Sequence, residues 1–183
     1  VRYIEVRLAP QLHVNESMTS EQVLQAVNAG LERAKREHRR SEAVATRGEP
    51  SFEYGIIVCA MRMFTPAFGW YFRHLTQVTS ELEEKRRFGI ASLQLAQTAI
   101  KARDKLGLPI VAFDLAGQEA GYPAVDHAEA YRFAHEHFLK KTVHAGEAYG
   151  PESIFQAITA LHADRIGHGY HLFRPDLITS KEV

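Results

Sequence analysis

The chain has 183 residues, with 22 basic and 22 acidic side chains and a formal net charge of zero. That length can bury a substantial core, and the charge balance excludes the positive field that draws in a phosphate backbone, so nucleic acid is not an expected partner. The single cysteine, Cys59, excludes an intramolecular disulfide and a cysteine-based zinc cluster, and no apolar run approaches the ~20 residues that span a bilayer.

The amino end lacks the basic start and apolar stretch of a signal peptide, so the cytoplasm is the default location. The first run, Val1 to Leu8, alternates: Val1, Tyr3 and Glu5 take one face and Ile4, Val6 and Leu8 the other, as in a strand that Pro10 stops. No initiator methionine or cap precedes it, and both ends of the chain read as lying inside a fold. Thr19 or Ser20 can cap a helix running to about Arg36, with Glu21 in its first turn and Val23, Leu24, Val27 and Leu31 at helical spacing. The charged stretch from Arg39 to Pro50 ends in Arg47-Gly48-Glu49-Pro50 and reads as a loop.

A second strand is expected from Tyr54 to Met61, with Cys59 as a buried thiol among its apolar neighbours. Met63 to Trp70 mixes aromatics with chain breakers and reads as a loop, either a hydrophobic plug or a lid over a ligand. Apolar spacing from Phe88 to Ile100 predicts a helix over about Ser80 to Leu106, ended by Gly107. The run Leu108 to Leu115 is nearly all apolar, as a strand covered on both faces should be. Then follow a helix near Val125 to Phe138, a strand Lys141 to Ala145, a helix from Pro151 or Glu152 to His162, and a strand Arg165 to Gly167. Five strands alternating with four connecting helices predict an α/β fold with a parallel sheet. A complete eight-stranded barrel takes about 250 residues, so this chain is expected to form a partial barrel that does not close by itself.

In parallel α/β folds the chemistry sits where strands end. Three strand ends carry polar residues: Asp114-Leu115-Ala116-Gly117-Gln118-Glu119, His144-Ala145-Gly146-Glu147, and Gly167-His168-Gly169. His144 and Glu147 read in two ways. They can be a metal ligand and a proton donor sharing one pocket, or a packed histidine followed by a glutamate that charges a helix start. His168, between two glycines, suits a general base, with a turn-capping histidine as the other reading. Asp114 is expected to be a structural carboxylate that accepts loop amide protons. His135 and His137, two apart on one helix, project about 200° apart and do not grip one ion. His13, His38, His74, His127, His162 and His171 are expected to be solvated.

Taken together and in this order, these segments resemble the adenosine deaminase family of metal-dependent hydrolases. Tyr3-Ile4-Glu5-Val6-Arg7 with Pro10 is similar to that family's third barrel strand, Asp114-Leu115-Ala116-Gly117 to its fifth, His144-Ala145-Gly146-Glu147 to its sixth and Arg165-Ile166-Gly167-His168-Gly169 to its seventh. The resemblance implies a partial (β/α)8 TIM barrel and a zinc-dependent deamination of a small-molecule purine nucleoside, adenosine or deoxyadenosine. Zn2+ would be held in part by His144. His168 would orient the attacking water and take its proton, Glu147 would donate a proton to ring N1, and the backbone N–H of Gly117 would hold N3. The family's H-x-H pair on the first strand and aspartate pair on the eighth have no counterpart in this sequence, so this segment alone is expected neither to bind zinc tightly nor to turn over substrate. Adenine or another aminopurine is the alternative substrate, and an inactive paralogue serving as a scaffold is the alternative outside catalysis. A cytidine-type zinc deaminase is excluded by the missing P-C-x-x-C segment.

Overall fold

The computed structural model describes residues 2–174 and 176. Val1, the expected start of the first strand, lies outside them. Along the chain run β1 (Tyr3–Leu8), α1 (Ser20–Arg39), α2 (Glu42–Ala45), β2 (Glu53–Met61), α3 (Trp70–Val78), α4 (Glu84–Asp104) and β3 (Ile110–Ala116), then α5 (Ala128–Glu136), β4 (Lys140–Ala145), α6 (Pro151–Thr159) and β5 (Arg165–His168). The five strands pair in parallel in sequence order, so they curve as consecutive staves of a partial (β/α)8 barrel.

Six helices appear among the described residues where the sequence predicts four. Helix α1 starts as expected, with Thr19 and Gln22 forming a capping box, but it continues to Arg39 because Arg36, His38 and Arg39 suit the negative end of its dipole. The charged loop that follows contains the single-turn α2. Helix α3 falls where aromatics of modest helix propensity suggest irregular chain, and packing overrides propensity there. Phe72 of α3 is fully buried, with its ring centred 4.5 Å from Phe64, which in turn sits 5.0 Å from Phe88 of α4. The stretch from Met63 to Trp70 therefore contributes a hydrophobic plug. The helix expected from Val125 begins as a 3₁₀ turn, Ala124–His127, before α5.

Strand alternation gives the sheet two unlike faces. Ile56, Val58, Phe113, Leu115, Val143 and Ala145 point toward the helices and form the main core with residues such as Leu95 of α4 and Tyr131 of α5. Residues of the opposite parity, Glu5, Arg7, Asp114, Thr142 and His144, line a concavity of about 420 Å³ on the other face. Cys59 is buried as expected, and burial raises its thiol pKa. Strands β3 and β4 pair only through Ala112 with Lys140 and Phe113 with Lys141, so they part toward their carboxyl ends.

The amino-terminal edge of the sheet is pinned by Asp164. Its carboxylate accepts from the Lys141 amide at 2.8 Å, the buried Lys141 ammonium at 2.9 Å and the Lys140 ammonium at 3.1 Å, while its own amide donates to the Lys141 carbonyl. Burial alone would raise the Asp164 pKa, but the Lys141 and Lys140 bonds outweigh it and lower it to about 2. A depressed folded-state pKa supplies stability above the ordinary value of 3.8 that fades as pH falls toward about 2. In the full-length protein Asp164→Asn is expected to cost about 1 kcal/mol at pH 7, the value for hydrogen bonds to a charged group discounted for solvent screening at an exposed carboxylate. The cost should shrink at pH 3. Urea midpoints for both proteins at the two pH values test this, and an equal loss at both would refute it.

Candidate functional site

The site forms at the carboxyl ends of β1 to β5. His144, next to last in β4, faces the concave side, where its Nδ1 lies 3.3 Å from Asp114 of β3 and its Nε2 is contacted by Arg7 Nη1. Arg7 also donates to Asp114 Oδ2 at 3.0 Å. With Nδ1–H given to the carboxylate, Nε2 keeps its lone pair, which is the form of imidazole that a metal takes. Asp114 departs from its expected role. It is 1% exposed and its side chain meets those of Arg7, His144 and Thr142, because its strand parity aims it into the concavity. Burial would raise its pKa, but hydrogen bonds from His144 and Thr142 lead the opposing causes and leave it lowered.

Beyond β4 the chain turns at Gly146 with φ +70°, where an added Cβ would meet Ile154 Cδ1 at 2.6 Å. This turn sends the half-exposed Glu147 side chain toward β5, with its Oε2 3.4 Å from His168 Nε2. The ring of His168 is centred 5.0 Å from that of His144. His168 takes φ +65° followed by Gly169 at the same value, a pair of left-handed residues that is uncommon for a side chain of this size and aims the imidazole back at Glu147. His144, Glu147 and His168 are thus brought into one cluster. Gly117 lies on the same edge at the end of β3, with φ +115° and an added Cβ 3.5 Å from the Arg62 nitrogen, so its backbone conformation suits glycine.

Three residues without a role in the sequence reading organise this edge. Glu119 is buried and receives backbone amides from the turn after β4, which is the role expected of Asp114. Burial would raise the Glu119 pKa, but the Ser153 hydroxyl and those amides leave it lowered. Arg62, just past β2 and 1% exposed, spans the opening between β3 and β4. Its Nη1 donates to the Tyr122 carbonyl at 2.8 Å and its Nη2 to the His144 carbonyl. Arg7 is the third. Each stands at or just past a strand end with a charge among small or apolar residues, which is the signal that marks it.

Of the histidines expected to be solvated, His13, His74 and His162 are exposed and His38 and His171 are half-buried. His127 contradicts the expectation. It is 1% exposed, bonded to Ser92 Oγ at 2.7 Å and to the Arg62 carbonyl at 3.2 Å, because the 3₁₀ turn before α5 tucks it under the sheet. Burial and the Arg62 charge lower its pKa to about 3, so it is neutral at neutral pH. His135 and His137 diverge as expected, with His137 Nδ1–H donating to Phe133 and His135 resting on His162. Among the described residues no group of three His, Cys, Asp or Glu could hold a metal, so they do not by themselves fit a catalytic zinc site. No helix among them is long and apolar enough to cross a membrane.

Comparison with known proteins converges on one family. Its sequence profile, described as adenosine deaminase, matches residues 67–178, more than half of the chain. A curated adenosine deaminase of Mycobacterium marinum is 34% identical over 172 residues, 94% of this chain and 38% of that protein. The chain thus spans well under half the length of that relative. Among solved structures, an adenine deaminase from Arthrobacter aurescens superposes with a TM-score of 0.56 at 20% identity, over 93% of this chain and 40% of that one. An amidohydrolase from Burkholderia ambifaria with bound Zn gives a TM-score of 0.63 at 19% identity, over 94% and 37%. An N6-methyl-AMP deaminase from Arabidopsis thaliana gives 0.60 at 21% identity, over 92% and 40%. At these identities the structures share the fold.

Proposed function

The chain belongs to the adenosine deaminase family, and on that premise we propose that the full-length protein hydrolyses the 6-amino group of adenosine or deoxyadenosine, giving inosine or deoxyinosine and ammonia. The observation that carries this reading is the cluster of His144, Glu147 and His168, with Glu147 and His168 3.4 Å apart on adjacent strand ends. Glu147 in its protonated form donates to ring N1, drawing electrons from C6. His168 orients the attacking water and takes its proton, which is later returned to the departing amine. The amide of Gly117 holds ring N3. His144 would be one donor to a zinc ion, with the remaining ligands expected outside this segment, a reading supported by its Asp114 partner and by the Zn in the Burkholderia structure. Zinc, when bound, supplies a water of lowered pKa.

A second substrate reading has specific support, because structural neighbours include adenine and N6-methyl-AMP deaminases. The groups named above grip the purine ring and leave the sugar and phosphate unread. Full-length protein assayed by ultraviolet absorbance against adenosine, deoxyadenosine, adenine, AMP and N6-methyl-AMP separates these cases. The highest kcat/KM is expected for the two nucleosides. Preference for another substrate would move the assignment within the family, and no turnover of any would leave the scaffold reading. Gly117→Ala keeps the N–H but does not readily hold φ +115°, so the amide turns from the ring and KM is expected to rise about 5- to 10-fold, the equivalent of one hydrogen bond, with a smaller effect on kcat. An unchanged KM in steady-state rates would remove Gly117 from the substrate contacts.

A further inference from the structure

The turn from Gly146 to Tyr149 carries Glu147, yet little packing holds it. The side chains of Glu147, Ala148 and Tyr149 are exposed, and behind the turn lies a cavity of about 170 Å³ lined by Arg62, Glu119, Tyr149 and Ser153. Its four successive amides instead converge on one carboxylate. Glu119 Oε2 accepts from Glu147 N at 2.9 Å, Ala148 N at 2.6 Å and Tyr149 N at 2.9 Å. Glu119 Oε1 accepts from Gly146 N at 2.7 Å and from the Ser153 hydroxyl. An ionised carboxylate, with about four lone-pair directions and no donor of its own, suits such a set of five donors, one of which, the Gly146 N–H, is shared with Ser153 Oγ at 3.1 Å. Glu119 also sits two residues after Gly117 in the loop that follows β3.

We infer that Glu119 is a positioning residue for deamination: by tying the loop after β3 to the turn after β4, it fixes the spacing between the Gly117 amide and the Glu147 carboxyl. In the deamination reading on which this rests, those two groups hold N3 and N1 of one six-membered ring, so their separation must match the ring. Glutamine at position 119 keeps the size but replaces one acceptor oxygen with an NH₂ that faces donors. The turn then loosens, and Glu147 loses its aim while the rest of the pocket remains.

The test uses full-length, zinc-loaded protein. Glu119→Gln is expected to lower kcat about 100-fold, the scale of an ångström-sized misplacement at a reacting centre. Because the effect passes through Glu147, Glu119→Gln combined with Glu147→Gln should be no slower than Glu147→Gln alone. Amide hydrogen exchange should quicken at residues 146–149 and stay unchanged in the core strands. Multiplying losses in the double variant, or unchanged exchange at 146–149, would overturn the inference. If the wild-type protein turns over no aminopurine, the deamination reading falls, and the exchange pattern alone then decides whether Glu119 holds the turn. Should Glu119→Gln fail to fold, Glu119→Asp, which keeps the charge but draws it back by one methylene, goes through the same measurements with the same expectations.

Discussion

Replacing Glu147 with glutamine in the full-length protein is expected to lower kcat by about 10²- to 10⁴-fold, the usual contribution of a positioned general acid. Glutamine preserves the shape and can still offer an N–H to ring N1, but it cannot hand over a proton, so the effect should fall on kcat with KM nearly unchanged. The half-exposed setting of Glu147, with Oε2 3.4 Å from His168 Nε2, leaves its carboxyl open to a ligand. Single-turnover absorbance measurements, which separate chemistry from product release, are the check. A kcat within about threefold of wild type, well below what general acids contribute, would assign the proton to another donor.

The second large effect concerns stability. Arg62→Met is expected to cost about 3–5 kcal/mol, the range for removing one member of a buried charged network. Methionine fills much of the same volume, so the loss isolates the guanidinium from the packing of its stem. Without it the carbonyls of His144 and Tyr122 lose their donor, and the buried Glu119 and Asp114 lose a neighbouring positive charge. Burial lowers the Arg62 pKa and those acidic neighbours oppose the shift, which places the cation inside a compensating network. Urea unfolding of the two full-length proteins measures the difference. A loss under about 1 kcal/mol, an ordinary neutral hydrogen bond, would show that the opening between β3 and β4 needs no charged bridge.

Periodicity made most of the architecture legible. Every strand falls within two residues of its expected limits, because alternating or fully apolar runs bounded by Pro and Gly leave few other choices. Helix α3 escaped notice because it is held by Phe72 packing on Phe64, which in turn meets Phe88, with Tyr71 against Phe72, contacts that local sequence does not display. Within the site, strand-end position and residue chemistry marked His144, Glu147 and His168 as candidates with two readings each, and their proposed roles come from the family resemblance; the structure places the three side chains near one another. The amide-accepting role expected of Asp114 falls to Glu119 for a plain reason. Asp114 lies near the end of β3 and Glu119 just past it, and sequence spacing does not reveal that Asp114 points into the concavity while Glu119 reaches across to the next loop. His127 was misjudged on the same grounds, since its burial depends on the 3₁₀ turn that carries it beneath Arg62.

The two unlike faces of the sheet divide responsibilities by odd and even positions along each strand. On β4, Val143 and Ala145 belong to the packed layer, while Thr142 and His144 belong to the concavity. A substitution on the concave parity therefore alters the polar lining of the concavity and leaves the helix-facing core in place. One on the helix-facing parity does the reverse. Two adjacent positions on one strand thus answer to different physical demands, one set by the polar concavity and the other by close packing.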